Sequence, residues 1–373
     1  MGRHGREDPR RDPAGGVAAE RSPAEALAGR RVVLDCRWLG LGGAGRVTEL
    51  LLGEFAAAPP PGAWMLWGQR ALVEERLFPG AALHPWEGDP RSLSGQRDLL
   101  GVPKGDIVLY SHQIRPLRPG TSVTVIHDTI PLRHGGSAAS RLAKRAFLRA
   151  VAALSTRVLT DSEFSRRALE RDLGLPAERI SVMTFPHDAE RAARIAALRL
   201  ELEQEERLLY LGRFAPHKNL ERLARAFAAS EFAERGGTLE LVGGWDDETE
   251  RMRGWIAASG IAGVAARAAV DEPELDRLLA TSRALVLPSL EEGFGLPAFE
   301  AAASGLPVAA SRTGALETLP PEDAVLFDPL DEDALRAALD EATSRAPHAP
   351  WPARDVGFAD VVLRALAAAT ARA

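Results

Sequence analysis

Twice along this chain, short strand-like runs of apolar residues alternate with longer stretches of helical periodicity, and no other feature narrows its fold as much. The first series runs Val32–Cys36, a helical pattern at 45–57, Ala63–Trp67, Ile107–Tyr110, Val123–Ile126, a helical pattern at 137–154, Val158–Thr160, another at 163–173, and Ile180–Met183. Parallel strands cannot be joined by a tight turn and need a crossover, usually a helix, so this alternation predicts a parallel sheet covered on both faces. The second series begins at Leu208–Leu211 and passes through a helix at 219–229, Leu239–Val242, a helix at 247–258, a strand near 263–270, a helix at 272–280, Ala284–Leu287, a helix at 297–304, Val308–Ala310, Val325–Phe327 and a helix at 331–344. With 373 residues, too many for one ordinary core, the chain is expected to be α/β: two doubly wound, Rossmann-like parallel-sheet domains facing each other across a cleft.

The boundaries follow from composition. Residues 1–21 mix charge with Gly and Pro, show no periodic apolar face, and read as a disordered tail. Ser22-Pro23-Ala24-Glu25 is a capping box with Pro at the first helical position, and it opens a first domain at 22–188. Residues 189–206, rich in Ala, Arg and Glu, read as a connector with a helical piece, and 207–346 form the second domain. After a break at Pro347, Pro350 and Pro352, an apolar helix at 357–371 belongs to neither series and is free to cross back onto the first domain, so 347–373 is set apart.

Charge and cysteine usage exclude several classes. Lys and Arg number 46 against 52 Asp and Glu, a formal net charge of −6, which leaves no basic footprint for a nucleic-acid partner. A single cysteine, Cys36, permits no intrachain disulfide and lies in no metal or redox motif. No run of about 18 apolar residues and no apolar signal-peptide core is present, so a cytoplasmic protein is expected, with no metal and no resident cofactor. Arg141, Lys144, Arg145 and Arg149 share one helical face, ordinarily a solvated one, with peripheral docking on an anionic membrane surface as the alternative.

In open parallel sheets ligands sit beyond the carboxyl ends of the strands, so chemistry is sought in the segments that follow them. Pro288-Ser289-Leu290-Glu291-Glu292-Gly293-Phe294-Gly295-Leu296-Pro297-Ala298-Phe299-Glu300 follows the run Ala284–Leu287. Its glycines let backbone approach a ligand, and a helix beginning at Pro297 offers free amides and a dipole to a diphosphate. Glu300, expected in the first turn, and Glu292, in the loop ahead, can accept hydrogen bonds from sugar hydroxyls; alone, either would read as an acid stabilising a helix N-terminus. Gly212-Arg213-Phe214-Ala215-Pro216-His217-Lys218-Asn219 follows the run Leu208–Leu211, and Arg213 and Lys218 are two cations on one turn, suited to a leaving diphosphate.

Taken together, Gly212-Arg213, Pro216-His217-Lys218-Asn219 and Glu292-Gly293-Phe294-Gly295-Leu296-Pro297 with Glu300 resemble the donor-site motifs of family 4 retaining glycosyltransferases of the GT-B fold, over residues 31 to 345. The resemblance implies that Arg213 and Lys218 neutralise the diphosphate, and that Glu292 and the Gly293–Gly295 amides hold the transferred sugar. By the same resemblance Glu300 binds the ribose, with Gly212, Asn219, Phe294 and Leu296 in the donor site. Ile126-His127-Asp128 matches the family's His-Asp motif, in which the histidine meets the donor sugar. Asp35, Arg37 and Gly42-Gly43-Ala44-Gly45-Arg46 are similar to the glycine-rich acceptor-side loop, with Gly43, Gly45 and Arg46 its binding residues. The chain departs from the pattern at Val47, where many relatives carry Tyr, and at Ala268, where they carry Gly. Asp161-Ser162-Glu163-Phe164-Ser165 also resembles the family, although Ser162 and Ser165 suffice to cap the helix at 163–173.

The expected function is therefore a retaining, metal-independent hexosyltransferase using a GDP- or UDP-linked sugar, mannosyl foremost, and a saccharide or lipid-linked acceptor in glycan or cell-envelope polysaccharide biosynthesis. The alternatives are a non-catalytic scaffold that binds a nucleotide sugar or a partner enzyme, and a sugar phosphorylase, for which no pyridoxal-bearing lysine can be assigned.

Overall fold

The computed structural model describes residues 22–90, 92, 103–134, 136–354 and 356–371, and the stretch 1–21 read as a disordered tail lies outside the described residues. Among these residues the strands form two sheets. The first comprises β1 (Arg31–Asp35), β2 (Ala63–Gly68), β3 (Ala81–Pro85), β4 (Ile107–Tyr110), β5 (Ser122–Val125), β6 (Arg157–Thr160) and β7 (Ile180–Val182), in the spatial order β3-β2-β1-β4-β5-β6-β7. The second comprises β8 (Arg207–Leu211), β9 (Thr238–Gly244), β10 (Val264–Ala268), β11 (Ala284–Leu287), β12 (Val308–Ser311) and β13 (Ala324–Phe327), in the order β10-β9-β8-β11-β12-β13. Every neighbouring pair is parallel. The architecture is the expected pair of doubly wound α/β domains.

The central strands β4, β5, β11 and β12 are buried at every position, as parallel strands covered on both faces must be, and this is why they read as apolar runs. The edge strand β3 was not anticipated. Its sequence Ala-Ala-Leu-His-Pro is partly exposed and ends in proline, which an edge tolerates, so neither apolar continuity nor alternation marks it. Strand order reverses between β1 and β4 and between β8 and β11, and at each reversal the crossovers diverge and open a crevice. The loops after β8 and β11 therefore meet at the centre of the second domain, and those after β4, β5 and β6 lie side by side in the first.

Two helices carry the chain between the domains, each packed on one of them. Helix Ala189–Glu201, in the connector, is capped by Asp188 and packs on the second domain, where Ile195 enters the core and Arg191 Nε donates to Asp276 at 2.8 Å. Buried Arg199 donates to the carbonyls of Ser304 and Leu279, and burial lowers its pKa to about 10. Helix Phe358–Thr370 returns to the first domain and places Phe358, Val362, Leu366 and Ala369 among Leu34, Leu109, Val125 and Leu159. The segment Gly42–Arg46, read as a loop, is instead the start of helix Gly42–Ala57. Gly45 is small for a packing reason, since a Cβ there would lie 2.5 Å from the Trp38 carbonyl oxygen.

Phe358 is the aromatic anchor of the returning helix and is 1% exposed. Phe358→Ala is expected to destabilise the chain by about 3–5 kcal/mol, the usual cost of emptying a buried aromatic site, read by urea denaturation. A loss under ~1 kcal/mol would show that the helix docks without it.

Candidate active site at the domain seam

On the second domain's side, Lys218 ends the turn Pro216–Lys218 that follows β8, and Glu292 stands in the loop that follows β11. Lys218 Nζ donates to Glu292 Oε2 at 2.6 Å, and Ser289 Oγ donates to the same oxygen at 2.8 Å, so Oε1 remains open to a ligand. The helix Leu296–Ala303 begins at Gly295, whose φ of 89° is in the left-handed region and which supplies no side-chain cap. Pro297 carries no N–H and the amides of Ala298 and Phe299 donate to the Gly295 carbonyl at 2.9 and 3.4 Å, so this end offers a ligand the helix dipole rather than a row of free amides. A Cβ on Gly295 would meet Leu316 at 2.5 Å, so only glycine permits this turn. Glu300 lies in the second turn of this helix, not the first, which removes the reading of it as a helix-terminal charge.

Other residues of these loops are turned elsewhere. The Arg213 guanidinium stacks 3.5 Å from the centre of the Trp245 ring and pairs with Glu248, half exposed. Gly212, with φ 142°, lies close under the Tyr210 hydroxyl, which donates to the Arg213 carbonyl at 2.8 Å. Asn219, the one non-glycine residue with positive φ among the described residues, spends its amide on the carbonyls of Pro288 (3.2 Å) and Pro329 (2.9 Å). Its role here is to tie loops together. Phe294 stacks on Phe299 and meets Phe185 of the first domain edge-on at 4.8 Å, and Leu296 packs against the first domain's core.

The first domain closes directly on these groups. Arg46 Nε donates to Glu300 Oε1 at 3.0 Å, with Arg191 at 3.4 Å from the same oxygen. Gly43 opens to free space, whereas Gly45 is packed on backbone. Asp35 and Arg37, likened to the acceptor-side loop, are a buried bidentate pair with the guanidinium 4.0 Å from the centre of the Trp67 ring, and they face no cleft. Ser162 caps its helix as expected and also donates to the Gly293 carbonyl at 2.7 Å, across the seam. A Cβ on Gly293 would sit 3.4 Å from both Asp128 Cβ and Ser165 Oγ, which places this loop in direct contact with the first domain.

Sequence reasoning passed over a second set of residues. Arg133 binds Glu291 through two nitrogens and also reaches Asp172, while His134 Nε2 lies 3.0 Å from Glu291. Burial would raise the Glu291 carboxyl, yet Arg133 and His134 outweigh it and hold it below the usual carboxylate range. His127 Nδ1 lies 2.8 Å from Asp161 Oδ2. Burial pushes Asp128 up to about 6, with Asp161 and Glu292 adding to it and the Ile130 amide and His127 opposing it. Burial, aided by Lys218, lowers His217 to about 4. The available signal was position: Asp161 ends β6 as His127 follows β5, and Arg133 follows the same strand end. Among the described residues no group of three or more His, Cys, Asp or Glu is arranged to hold a metal ion, and no helix is long and apolar enough to cross a membrane.

The sequence profile of the family described as glycosyl transferases group 1 matches residues 205–345. The chain is similar to O-antigen chain mannosyltransferase B of Escherichia coli, 32% identical over 198 residues, covering 49% of this chain and 50% of that protein. It is also similar to an MMP alpha-(1->4)-mannosyltransferase of Mycolicibacterium hassiacum, 41% identical over 130 residues, 33% of this chain and 31% of that one. The matches thus span half of the first relative's length and about a third of the second's. Among solved structures, Anabaena HepE in complex with UDP and glucose superposes with a TM-score of 0.63 at 17% identity, covering 92% of this chain and 95% of that one. WaaG, a glycosyltransferase involved in lipopolysaccharide biosynthesis, does so at 0.61 and 16%, covering 91% and 94%. These likenesses establish the GT-B fold.

Asp128 binds its proton more tightly folded than unfolded, so its stabilising contribution is full below the ordinary value of 3.8 and is lost as pH rises through about 6. Asp128→Asn is therefore expected to raise thermal stability at about pH 8 by roughly 1–3 kcal/mol, with the gain disappearing by about pH 4. A gain independent of pH would rule out this origin. Separately, Arg133→Ala should loosen the seam, seen as a larger radius of gyration in small-angle scattering of the free protein; an unchanged radius would show that Ser162, Arg46 and Phe294 suffice.

Proposed function

We propose, for a chain whose C-terminal domain belongs to the glycosyl transferases group 1, that the seam around Lys218, Glu292 and His127 transfers a hexosyl group, mannosyl foremost, from a GDP- or UDP-linked donor to a saccharide or lipid-linked acceptor. The reaction retains anomeric configuration, needs no divalent metal, and serves glycan or cell-envelope polysaccharide biosynthesis. The observation that carries this reading is the ion pair of Lys218 with Glu292 at the strand-order reversal, beside a helix N-terminus without a side-chain cap and facing the His127-Asp128 segment of the opposite domain through Asp128. The mannosyl preference draws on the names of the similar proteins, and the UDP alternative on HepE, which binds UDP and glucose.

In this mechanism the donor's diphosphate lies against Lys218 and the positive end of helix Leu296–Ala303, and Arg213 supplies a second cation on leaving Glu248. Glu292 Oε1 and the Gly293–Gly295 backbone orient the sugar, and the open Oε2 of Glu300 accepts from the ribose. The bond from the anomeric carbon to the diphosphate oxygen breaks as the acceptor hydroxyl attacks from the same face, and that hydroxyl's proton passes to the departing phosphate oxygen. The acceptor enters past Gly43. A lipid-linked acceptor would bring the helix Ala138–Leu154 to an anionic membrane through Arg141, Lys144, Arg145 and Arg149, which surround Leu142, 69% exposed.

Lys218→Ala is expected to lower turnover by roughly 10²–10³-fold, the usual loss when a transition-state charge stabiliser is removed. A panel of nucleotide sugars, followed by thermal shift and by release of nucleoside diphosphate with and without EDTA, checks the rest. Near-wild-type turnover in the variant, or abolition by EDTA, would overturn the mechanism; stabilisation by a donor without any turnover would favour a binding scaffold.

A further inference from the structure

His127 is placed by strand register. β5 and β6 pair with Val123 opposite Arg157, Thr124 opposite Val158 and Val125 opposite Leu159. Continuing two residues sets His127 directly opposite Asp161, on the same side of the sheet. Their side chains meet, with Nδ1 at 2.8 Å and 3.0 Å from the two carboxylate oxygens. The other ring nitrogen, Nε2, lies 3.2 Å from the backbone carbonyl of Ser111, just past β4. A carboxylate and a carbonyl are both acceptors, so both ring nitrogens must donate, and only the doubly protonated imidazolium can do that.

The neighbouring histidine has the opposite arrangement. His112 stacks on Trp38 at 3.8 Å, and its Nδ1 accepts from the Ile114 amide at 2.9 Å, so that nitrogen carries no proton. The two rings are 5.5 Å apart, and a second charge there would be repelled. The groups facing His127 are Asp161 from the end of β6, Asp128 beside it in the chain, the Ser111 carbonyl and neutral His112 from the β4 loop, and the side-chain oxygen of Gln113, which accepts from the His127 amide at 3.4 Å. Burial opposes charge on His127, yet Asp161 and then Asp128 outweigh it and raise its pKa, while burial and then His127 hold His112 well below the usual histidine value.

We propose that Asp161 is a positioning residue that holds His127 as a fixed imidazolium under the Gly293 loop, and that the transfer reaction requires this charge. The inference rests on the reading of the seam as a glycosyl-transfer site. The imidazolium stands beside Asp128, the residue that meets the Gly293 loop, and so adds positive charge on the first domain's side of the seam that Lys218 and Glu292 border from the second. A departing diphosphate is then met by cations on both walls, and the ring cannot turn because Asp161 and Ser111 hold its two ends.

The test has two arms. In the first, the imidazole resonances of the free full-length protein are titrated by ¹⁵N-edited NMR, with His127 assigned by the signal lost in His127→Gln. Wild-type His127 is expected to keep both protons above the ordinary histidine value, and Asp161→Asn to lower its titration by about one pH unit or more. A wild-type ring that titrates at or below the ordinary value, or one that Asp161→Asn does not move, overturns the proposal. The wild-type titration stands even where the variant folds poorly. In the second arm, kcat/KM with GDP-mannose or UDP-glucose is followed against pH. The rate should fall as pH rises through the His127 value, and in Asp161→Asn this alkaline limb should move down with the NMR titration. An NMR shift without a matching move of the limb overturns the requirement for charge. Absence of turnover in the wild-type protein with every nucleotide sugar tested would overturn the transferase reading and leave the Asp161–His127 result to be read from the first arm.

Discussion

The stretch from Glu291 to Glu300 is gripped by both domains at once, and the rest of the molecule is organised around that grip. Glu291 is bound by Arg133 and His134 of the first domain, whereas Glu292 turns back to Lys218 and Ser289 of the second. The Gly293 carbonyl accepts from Ser162, Phe294 meets Phe185, and Glu300 meets Arg46. Glu292 is thus held by the second domain while the residues on either side of it are held by the first, which requires a backbone that turns tightly between the two surfaces. Gly295 supplies that turn, with positive φ and no room for a Cβ against Leu316.

This arrangement places charge where little water reaches it. Asp128, Asp161 and Glu292 stand near His127 and Lys218; burial pushes the Asp128 carboxyl up, and Asp161 foremost raises His127 against its own burial. In such surroundings electrostatic interactions are stronger than in water, for better where partners are satisfied and at a cost where they are not. Arg46 shows the same logic at the other end of the seam. Its guanidinium is surrounded by Glu300, Glu49, Asp188 and Glu272, at 3.0, 3.4, 3.6 and 3.7 Å, and a ligand entering beside Glu300 must share or displace it.

Much of the fold was legible because parallel strands buried on both faces are mostly apolar: β4 and β11 are so throughout, and β8 and β12 depart from it at one end only, with Arg207 and Ser311. The edge strand β3 escaped notice because one neighbour and a half-exposed face put little constraint on its residues. Gly42–Arg46 read as a loop because glycine signals turns by default, and only the approach of Trp38 explains why a helix holds Gly45 there. In the site, Lys218, Glu292 and Glu300 stood out since each follows a strand with glycine or proline nearby. Arg133, His134, Glu291 and Asp161 were given no role, because what each does follows from the partner the fold brings to it; Glu291 and Arg133 are separated by 158 residues.

The sequence by itself determined two parallel-sheet domains, the strand ends from which functional loops emerge, and the residue types those loops carry. Burial and periodicity are local properties, written in the order of apolar and polar residues. Which carboxylate meets which cation was decided only by the tertiary structure. It turned Arg213 out onto Trp245, buried Asp35 with Arg37, and set His127 opposite Asp161 through the register of two strands. Charged partners are chosen by distance in space, and at the seam that distance is set by how the domains close, which no stretch of either one records alone.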